Sequence, residues 1–284
     1  MIKNFLYTII FFFLKFRFFK KIIKFLLNIY LIDRGYCADW EFLINKSQNN
    51  LFKGENLFIS KFDNLNIRNC LDVGSNIGEY SHEILKNLNT NVIAFEPMPE
   101  CGQHLKEIKQ KYANRFSYYE LALSNKEGED IINFGTSTGG LSSMEKSANE
   151  IDYLKKNNIN SMKIKKKTLD NYLDDKKFNN IDFIKIDVEG HEFKVLEGGM
   201  NFINKHKVKL IQVEFNIHHL HVGNSVLQFS KLLKNYVTTQ MNLINGNLVV
   251  VAESSFLSNI YQLSNFVFIE KEFFDKTRIL LINK

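Results

Sequence analysis

A chain of 284 residues with 45% hydrophobic residues can bury one sizeable core and still carry an appendage. Its net charge of +6 is not spread out: residues 1–32 hold Lys3, Lys15, Arg17, Lys20, Lys21 and Lys24 and no acid, while the other 31 basic residues balance 31 acidic ones. A basic arm on a neutral body excludes a body built to bind nucleic acid, and three cysteines without metal-type spacing (Cys37, Cys70, Cys101) exclude a disulfide framework or zinc site and fit a reducing, cytoplasmic setting.

Phe5–Leu14 is an apolar run of ten residues, too short to span a bilayer, and no small-residue cleavage site follows it. From Phe16 to Tyr30 a helical step places Arg17, Lys20, Lys21, Lys24 and Asn28 on one stripe and aromatic and aliphatic residues on the rest. Two readings stand: a helix lying in a membrane surface through residues 1–32, at its cytoplasmic face, or a helix packed on the body with its lysines in water. Lys46–Asn50 is polar and reads as a loop, which divides the chain into an arm and linker (1–50) and a domain starting near Leu51 (51–284).

Cys70–Ser81, CLDVGSNIGEYS, reads as a buried strand (Leu71–Val73), a tight glycine turn (Gly74–Gly78) and the first turn of a helix. Such a turn is expected to aim free backbone N–H groups at a ligand, with glycine allowing its close approach. Tyr80, Ile84, Leu85 and Leu88 continue the helix, and Asn91–Phe95 is the next strand, ending at Glu96-Pro97. Glu96 lies 18 residues beyond Gly78, where a Rossmann-type fold places the acid that binds both ribose hydroxyls. Pro99 opens a helix with Leu105, Ile108 and Tyr112 on one face, and Phe116–Leu121 is a third strand. The alternation predicts an α/β fold with a largely parallel sheet.

Residues 124–167 are polar and irregular, with a short strand at Ile131–Phe134. Gly135–Ser143 is either a flexible loop at the mouth of the site or a solvated connection, and Lys163–Lys167 reads as a wet strand face. A helix begins at Thr168, and Ile181–Asp187 is the fourth strand. Asp187, Glu189 and His191 then alternate at its carboxyl end, the edge where open α/β sheets bind ligands. Acids or an imidazole there can orient or deprotonate a hydroxyl, or hold a divalent cation; the bland alternative is that Asp187 or Glu189 caps the next helix. Val208–Phe215 is a fifth strand carrying Glu214, followed by His218, His219 and His221 on a loop. Ser225–Tyr236 reads as helix, and Leu248–Ala252 with Asn265–Glu270 as a closing antiparallel pair.

LDVGSNIGEYS (71–81), AFEPMP (94–99), LALSNKEGE (121–129), TLDNYL (168–173), IKIDVEGHEFKVLEGG (184–199) and VEF (213–215) together resemble the FkbM-type S-adenosylmethionine-dependent methyltransferases over about residues 70–215. The resemblance implies a class I, Rossmann-like methyltransferase fold: seven strands, parallel except for one reversed strand in a terminal hairpin. It also implies methyl transfer to an oxygen, often a sugar hydroxyl of a glycan or glycoconjugate. Carried over, Asp72, Gly74, Ser75, Asn76 and Gly78 line the cofactor, Glu96 with Pro97 takes the ribose, Leu121 and Ala122 lie near the adenine, and Asp187 lies near the sulfonium methyl. His191 stands at a position that is often Ala in that family.

Asp187 and Glu189 are therefore the candidate acceptor-handling acids, with or without a divalent ion, alongside His191 and Glu214; His218 stands in reserve. An NAD-linked dehydrogenase is the rival enzyme class, and Asn76 in place of the Gly of a dinucleotide GxGxxG turn counts against it. A non-catalytic, membrane-docked binding protein is the third reading.

Overall fold

The computed structural model describes residues 21, 22, 26, 54–135, 142–146, 159–176, 180–259, 261 and 263–281. All but residues 21, 22 and 26 of the amphipathic arm, the loop at 46–50, the domain start at Leu51 and most of the 135–143 loop lie outside those residues. No helix among the described residues is long and apolar enough to cross a membrane.

The chain enters the core through α1 (Gly54–Ile59) and alternates from there: β1 (Asn69–Val73), α2 (Glu79–Asn87), β2 (Asn91–Phe95), α3 (Gly102–Tyr112) and β3 (Phe116–Tyr119). A small branch follows, made of β4 (Ala122–Leu123), β5 (Gly128–Phe134) and β6 (Asn160–Lys167). The alternation resumes with α4 (Leu169–Lys176), β7 (Phe183–Ile186), α5 (Glu192–Glu197), α6 (Met200–His206) and β8 (Leu210–Phe215). Helices α7 (Ile217–Val222) and α8 (Val226–Leu232) lead to β9 (Tyr236–Met241), β10 (Leu248–Val250) and β11 (Ser264–Glu270).

The main sheet runs β10-β9-β11-β8-β7-β1-β2-β3. Strands β3, β2, β1, β7 and β8 pair in parallel, and β11 runs antiparallel to both β8 and β9. This is the expected plan with one reversed strand, extended to eight strands by β10 at the edge of β9. The inner strands are buried along nearly their whole length, as parallel strands covered on both faces must be. Alternate residues feed two apolar layers: Cys70, Ala94, Phe183 and Leu210 face one side with Phe58 and Leu105, while Leu71, Phe95, Ile184 and Ile211 face the other with Leu196 and Phe229.

Two expectations need correction. The closing pair 248–252 and 265–270 does not pair with itself; both segments pair with β9, whose first residue, Tyr236, was read from sequence as the end of a helix and whose remaining residues carried no assignment. Helix α8 stops at Leu232, and the β-branched run of YVTTQM favours the extended chain once two neighbours supply its hydrogen bonds. Secondly, the 124–167 stretch, read as irregular apart from a short strand at Ile131–Phe134, joins Ala122–Leu123 in more regular structure. It folds a separate three-stranded sheet, β4-β6-β5, in which the exposed lysines of β6 form the predicted wet face.

Candidate active site

The turn after β1 is built by two glycines in left-handed conformation, Gly74 (φ 78°) and Gly78 (φ 82°). A Cβ on Gly74 would stand 1.8 Å from the backbone oxygen of Asp187, and one on Gly78 would stand 2.5 Å from Ile108 Cδ1. The glycines thus admit neighbouring protein, namely the end of β7 and the face of α3, where the sequence reading expected them to admit a ligand. The turn also spends its own donors. Gly74 and Ser75 N–H donate to the Phe95 carbonyl, Gly78 N–H to that of Ser75, and Asn76 N–H to Glu96 Oε2 (2.9 Å). A cradle of free N–H groups, as a phosphate would need, is absent at these four positions.

Glu96 is 7% exposed, and its second oxygen accepts from Met98 N–H at 2.9 Å. Burial pushes its pKa up to about 7 against the pull of these two hydrogen bonds. It lines a crevice of about 120 Å³ with Gly74, Asn76, Pro97, Leu121, Ala122, Asp187 and Glu189, so eight of the sequence-predicted residues converge on one space. Ile132, Ser142 and Met144 from the branch sheet and its loop close the crevice on the other side. Its lining includes three carboxylates and no Lys, Arg or His. A larger cavity of about 820 Å³ shares Gly74, Asn76 and Asp187 with it and adds Ser75 and Gly78. The Ser75 hydroxyl is buried without a hydrogen-bond partner, a polar group that a ligand in this corner can satisfy.

Asp72 lines neither cavity. It is fully buried, accepts a 2.6 Å hydrogen bond from Ser81 Oγ, and starts a row of polar side chains across three strands. In register, Asp72 sits beside Lys185 and Lys185 beside Gln212. Lys185 Nζ lies 2.9 Å from Asp187 Oδ2 and 3.9 Å from Asp72 Oδ1. It also stands over the Tyr80 ring, 5.0 Å from its centroid. Tyr80 donates to Gln212 Oε1 (2.7 Å), and Gln212 donates to Glu55 Oε1 (2.8 Å) from α1. Burial alone would discharge the Lys185 ammonium, but Asp187, Asp72 and Glu55 outweigh it and raise its pKa. Sequence reasoning missed Lys185 and Glu55. Lys185 had a signal, a charge inside the apolar run IDFIKID that burial obliges to be paired; Glu55 had none, since its partner lies 157 residues away.

Asp187, Glu189 and Glu214 come together, with carboxylate oxygens within 4.8 Å of one another. Asn216 bridges two of them, donating to Glu214 Oε1 (3.0 Å) and Glu189 Oε2 (3.3 Å), while its own oxygen caps α7. Burial, then the charge of Asp187, pushes Glu189 up to about 8; the same two causes, with Glu189 added, raise Glu214 well above the carboxylate range. His218 Nε2 lies 3.2 Å from Glu189 Oε2, and burial pushes that imidazole down to about 4. Neither acid caps the following helix: the N-cap of α5 is His191, and no side chain caps it.

His191 is not part of this cluster. Its Nε2 lies 2.9 Å from Ser124 Oγ and its Nδ1 meets Glu145 Oε1 at 2.5 Å, so both ring nitrogens are engaged away from the three acids. His219 is likewise buried, with Nε2 at 3.0 Å from the Glu214 carbonyl.

Among known proteins, a hexuronic acid methyltransferase, AglP of Haloferax volcanii, is 29% identical over 175 residues. That match takes in 61% of this chain and 65% of the relative's length. An O-methyltransferase from Bacillus cereus, solved with SAH, overlaps 86% of this chain and 97% of its own at 12% identity and a TM-score of 0.40. A precorrin-6y C5,15-methyltransferase from Geobacter metallireducens overlaps 76% and 88% at 9% identity and a TM-score of 0.38. The strand order, rather than these overlaps, carries the class I fold. The Methyltransferase FkbM domain profile matches residues 72–237, from the buried aspartate of β1 into β9, and the chain belongs to that family.

Proposed function

We propose that the protein is an S-adenosylmethionine-dependent O-methyltransferase acting on a sugar hydroxyl of a glycan or glycoconjugate. The observation that carries this is the crevice joining the Gly74–Gly78 turn and Glu96 to Asp187 and Glu189, with three carboxylates and no cationic side chain. Such a lining suits a cationic cofactor bearing a ribose. It opposes the pyrophosphate of NAD, for which the turn also keeps too few free N–H groups. The name of the Haloferax volcanii relative supports a sugar acceptor.

Bound S-adenosylmethionine supplies an electrophilic methyl on its sulfonium. Glu96, with Pro97 beside it, holds the ribose hydroxyls, and Leu121 and Ala122 contribute the apolar wall for the adenine. Ser75 and the larger cavity take the polar tail. Asp187, which lines both cavities, accepts the proton of the acceptor hydroxyl, and Lys185 holds its carboxylate in place. Glu189, pushed up to about 8, holds a proton near neutrality and donates to a neighbouring sugar oxygen; burial and the charges of Asp187 and Glu189 shift Glu214 in the same direction.

A second reading of the same acids is favoured by their spacing: three carboxylates within 4.8 Å suit a divalent cation that would orient the acceptor. Activity that survives EDTA removes this reading; loss restored by magnesium supports it. Residues 1–32 are proposed to contact the cytoplasmic face of a membrane on their sequence pattern, which vesicle flotation of the full chain against one starting at Leu51 tests. The central test is a titration with S-adenosylhomocysteine and NAD in parallel, followed by transfer of label from methyl-labelled cofactor to a glycan extract. Binding of NAD alone, or binding of neither, overturns the proposal.

A further inference from the structure

The segment 142–146 crosses the crevice and supplies Ser142 and Met144 to its lining. Its anchorage is specific. Ser143 and Asn133 exchange both backbone hydrogen bonds at 2.9 Å, which ties the segment to β5. The Ser143 hydroxyl donates to the Glu189 carbonyl (2.7 Å), which ties it to the carboxyl end of β7. One residue beyond Met144, Glu145 Oε1 receives Lys194 Nζ (2.7 Å) and meets His191 Nδ1 (2.5 Å), both on or at the start of α5. His191 is itself fixed from behind by Ser124 Oγ at 2.9 Å.

Glu145 belongs to this arrangement energetically as well. Its partial burial works to raise its pKa, yet the hydrogen bonds from His191 and Lys194 bring it below the usual carboxylate value. The side chain is only 15% exposed, and the His191 ring 3%. A charge-assisted contact of this kind is worth more than a neutral one, and here it adds to the Ser143 hydrogen bonds that hold the same short segment.

We infer that Glu145, His191 and Lys194 form a latch that pins the 142–146 strap over the cofactor crevice, making His191 and Glu145 positioning residues for cofactor retention. The inference rests on the crevice being the cofactor site, as proposed above. It accounts for a histidine buried beside the acid cluster with neither nitrogen turned toward it. Glu145 adds a hold directly beside Met144, one of the strap's two residues that line the crevice. The latch makes no contact with the reacting groups, so loosening it shortens residence of the cofactor and leaves the chemistry of the loaded enzyme alone.

The experiment measures S-adenosylhomocysteine affinity and dissociation rate for the full chain and for Glu145→Ala, Glu145→Gln and Lys194→Met. Glu145→Ala is expected to release the ligand about tenfold faster and bind it about tenfold more weakly, the loss of one to two such hydrogen bonds. Its kcat at saturating cofactor stays at the wild-type value. Glu145→Gln, which keeps an acceptor oxygen for both donors, recovers most of the retention, and Lys194→Met, altered at a half-exposed site, shows an intermediate effect. Wild-type retention in both Glu145→Ala and Lys194→Met overturns the latch, as does a fall in kcat without a change in affinity. Failure of the wild-type chain to bind S-adenosylhomocysteine at all overturns the functional proposal instead.

Discussion

Glu96 offers the sharpest test of the cofactor assignment. Its two oxygens each accept one backbone N–H at 2.9 Å, and each keeps one further lone-pair direction for a ribose hydroxyl. Burial raises its pKa from 4.5 to about 7, so ionising it in the cofactor-free protein costs about 3 kcal/mol. The sign follows for stability: Glu96 lowers none of it below about pH 4.5, lowers it progressively up to about pH 7, and by a constant amount above that. For binding the sign is opposite, because only the carboxylate accepts both hydroxyls. With a pKa of about 7, about 9% of the protein is competent at pH 6 and about 91% at pH 8. Calorimetric titration with S-adenosylhomocysteine should therefore show affinity rising about tenfold between those values. Glu96→Gln abolishes that slope. It also weakens binding at pH 8 by about 10- to 100-fold, since the amide nitrogen cannot accept from the second ribose hydroxyl, a loss of about 1–3 kcal/mol. An affinity in the wild-type protein that does not change from pH 6 to 8, or a Gln variant with the same slope, would refute the ribose role of Glu96.

Three further perturbations follow from the site. Asp187→Asn should lower kcat by about 10²–10⁴-fold and leave S-adenosylhomocysteine affinity within about threefold; full turnover in that variant dismisses Asp187 as the proton acceptor. Lys185→Met leaves Asp72 and Asp187 without their shared cation and should cost about 3–5 kcal/mol, read as a lowered denaturation midpoint, with part of the loss recovered by adding Asp187→Asn. An unchanged midpoint would mean the ion cluster is not held as described. Gly78→Ala meets Ile108 Cδ1 at 2.5 Å and carries φ 82°, so it should destabilise by about 2 kcal/mol, and Ile108→Val should relieve the contact but not the backbone strain. No recovery in the double variant would place the whole cost in the backbone.

The parts of this fold that were legible in the sequence are those whose signal is local. The strand, glycine turn and helix of residues 70–81 and the acid 18 residues on all lie within one supersecondary unit, and the structure brings them to one crevice. Strand β9 was not legible because its extended state is decided by β11 and β10, both later in the chain; Thr238, Thr239 and Gln240 are buried there, which no polarity pattern announces. The turn's donors were misjudged for a related reason. Whether an N–H is free depends on the carbonyl of Phe95 and the carboxylate of Glu96, some twenty residues away. His191 looked like a member of a strand-edge triad because alternation in sequence was its only visible property. Its actual partner, Glu145, sits 46 residues upstream in a stretch with no periodicity.

The close approach of Gly74 to the Asp187 carbonyl has a practical meaning for anyone dissecting this protein. Asp187 N–H also donates to the Val73 carbonyl at 2.9 Å, so the glycine turn and the base of the proposed proton acceptor are one joint. Substituting residue 74 shifts the carboxylate along with the loop. A crippled variant there says nothing by itself about cofactor contact, and kinetic dissection must be done from the outer positions, at Ser75 and Glu96 on one side and Glu189 on the other.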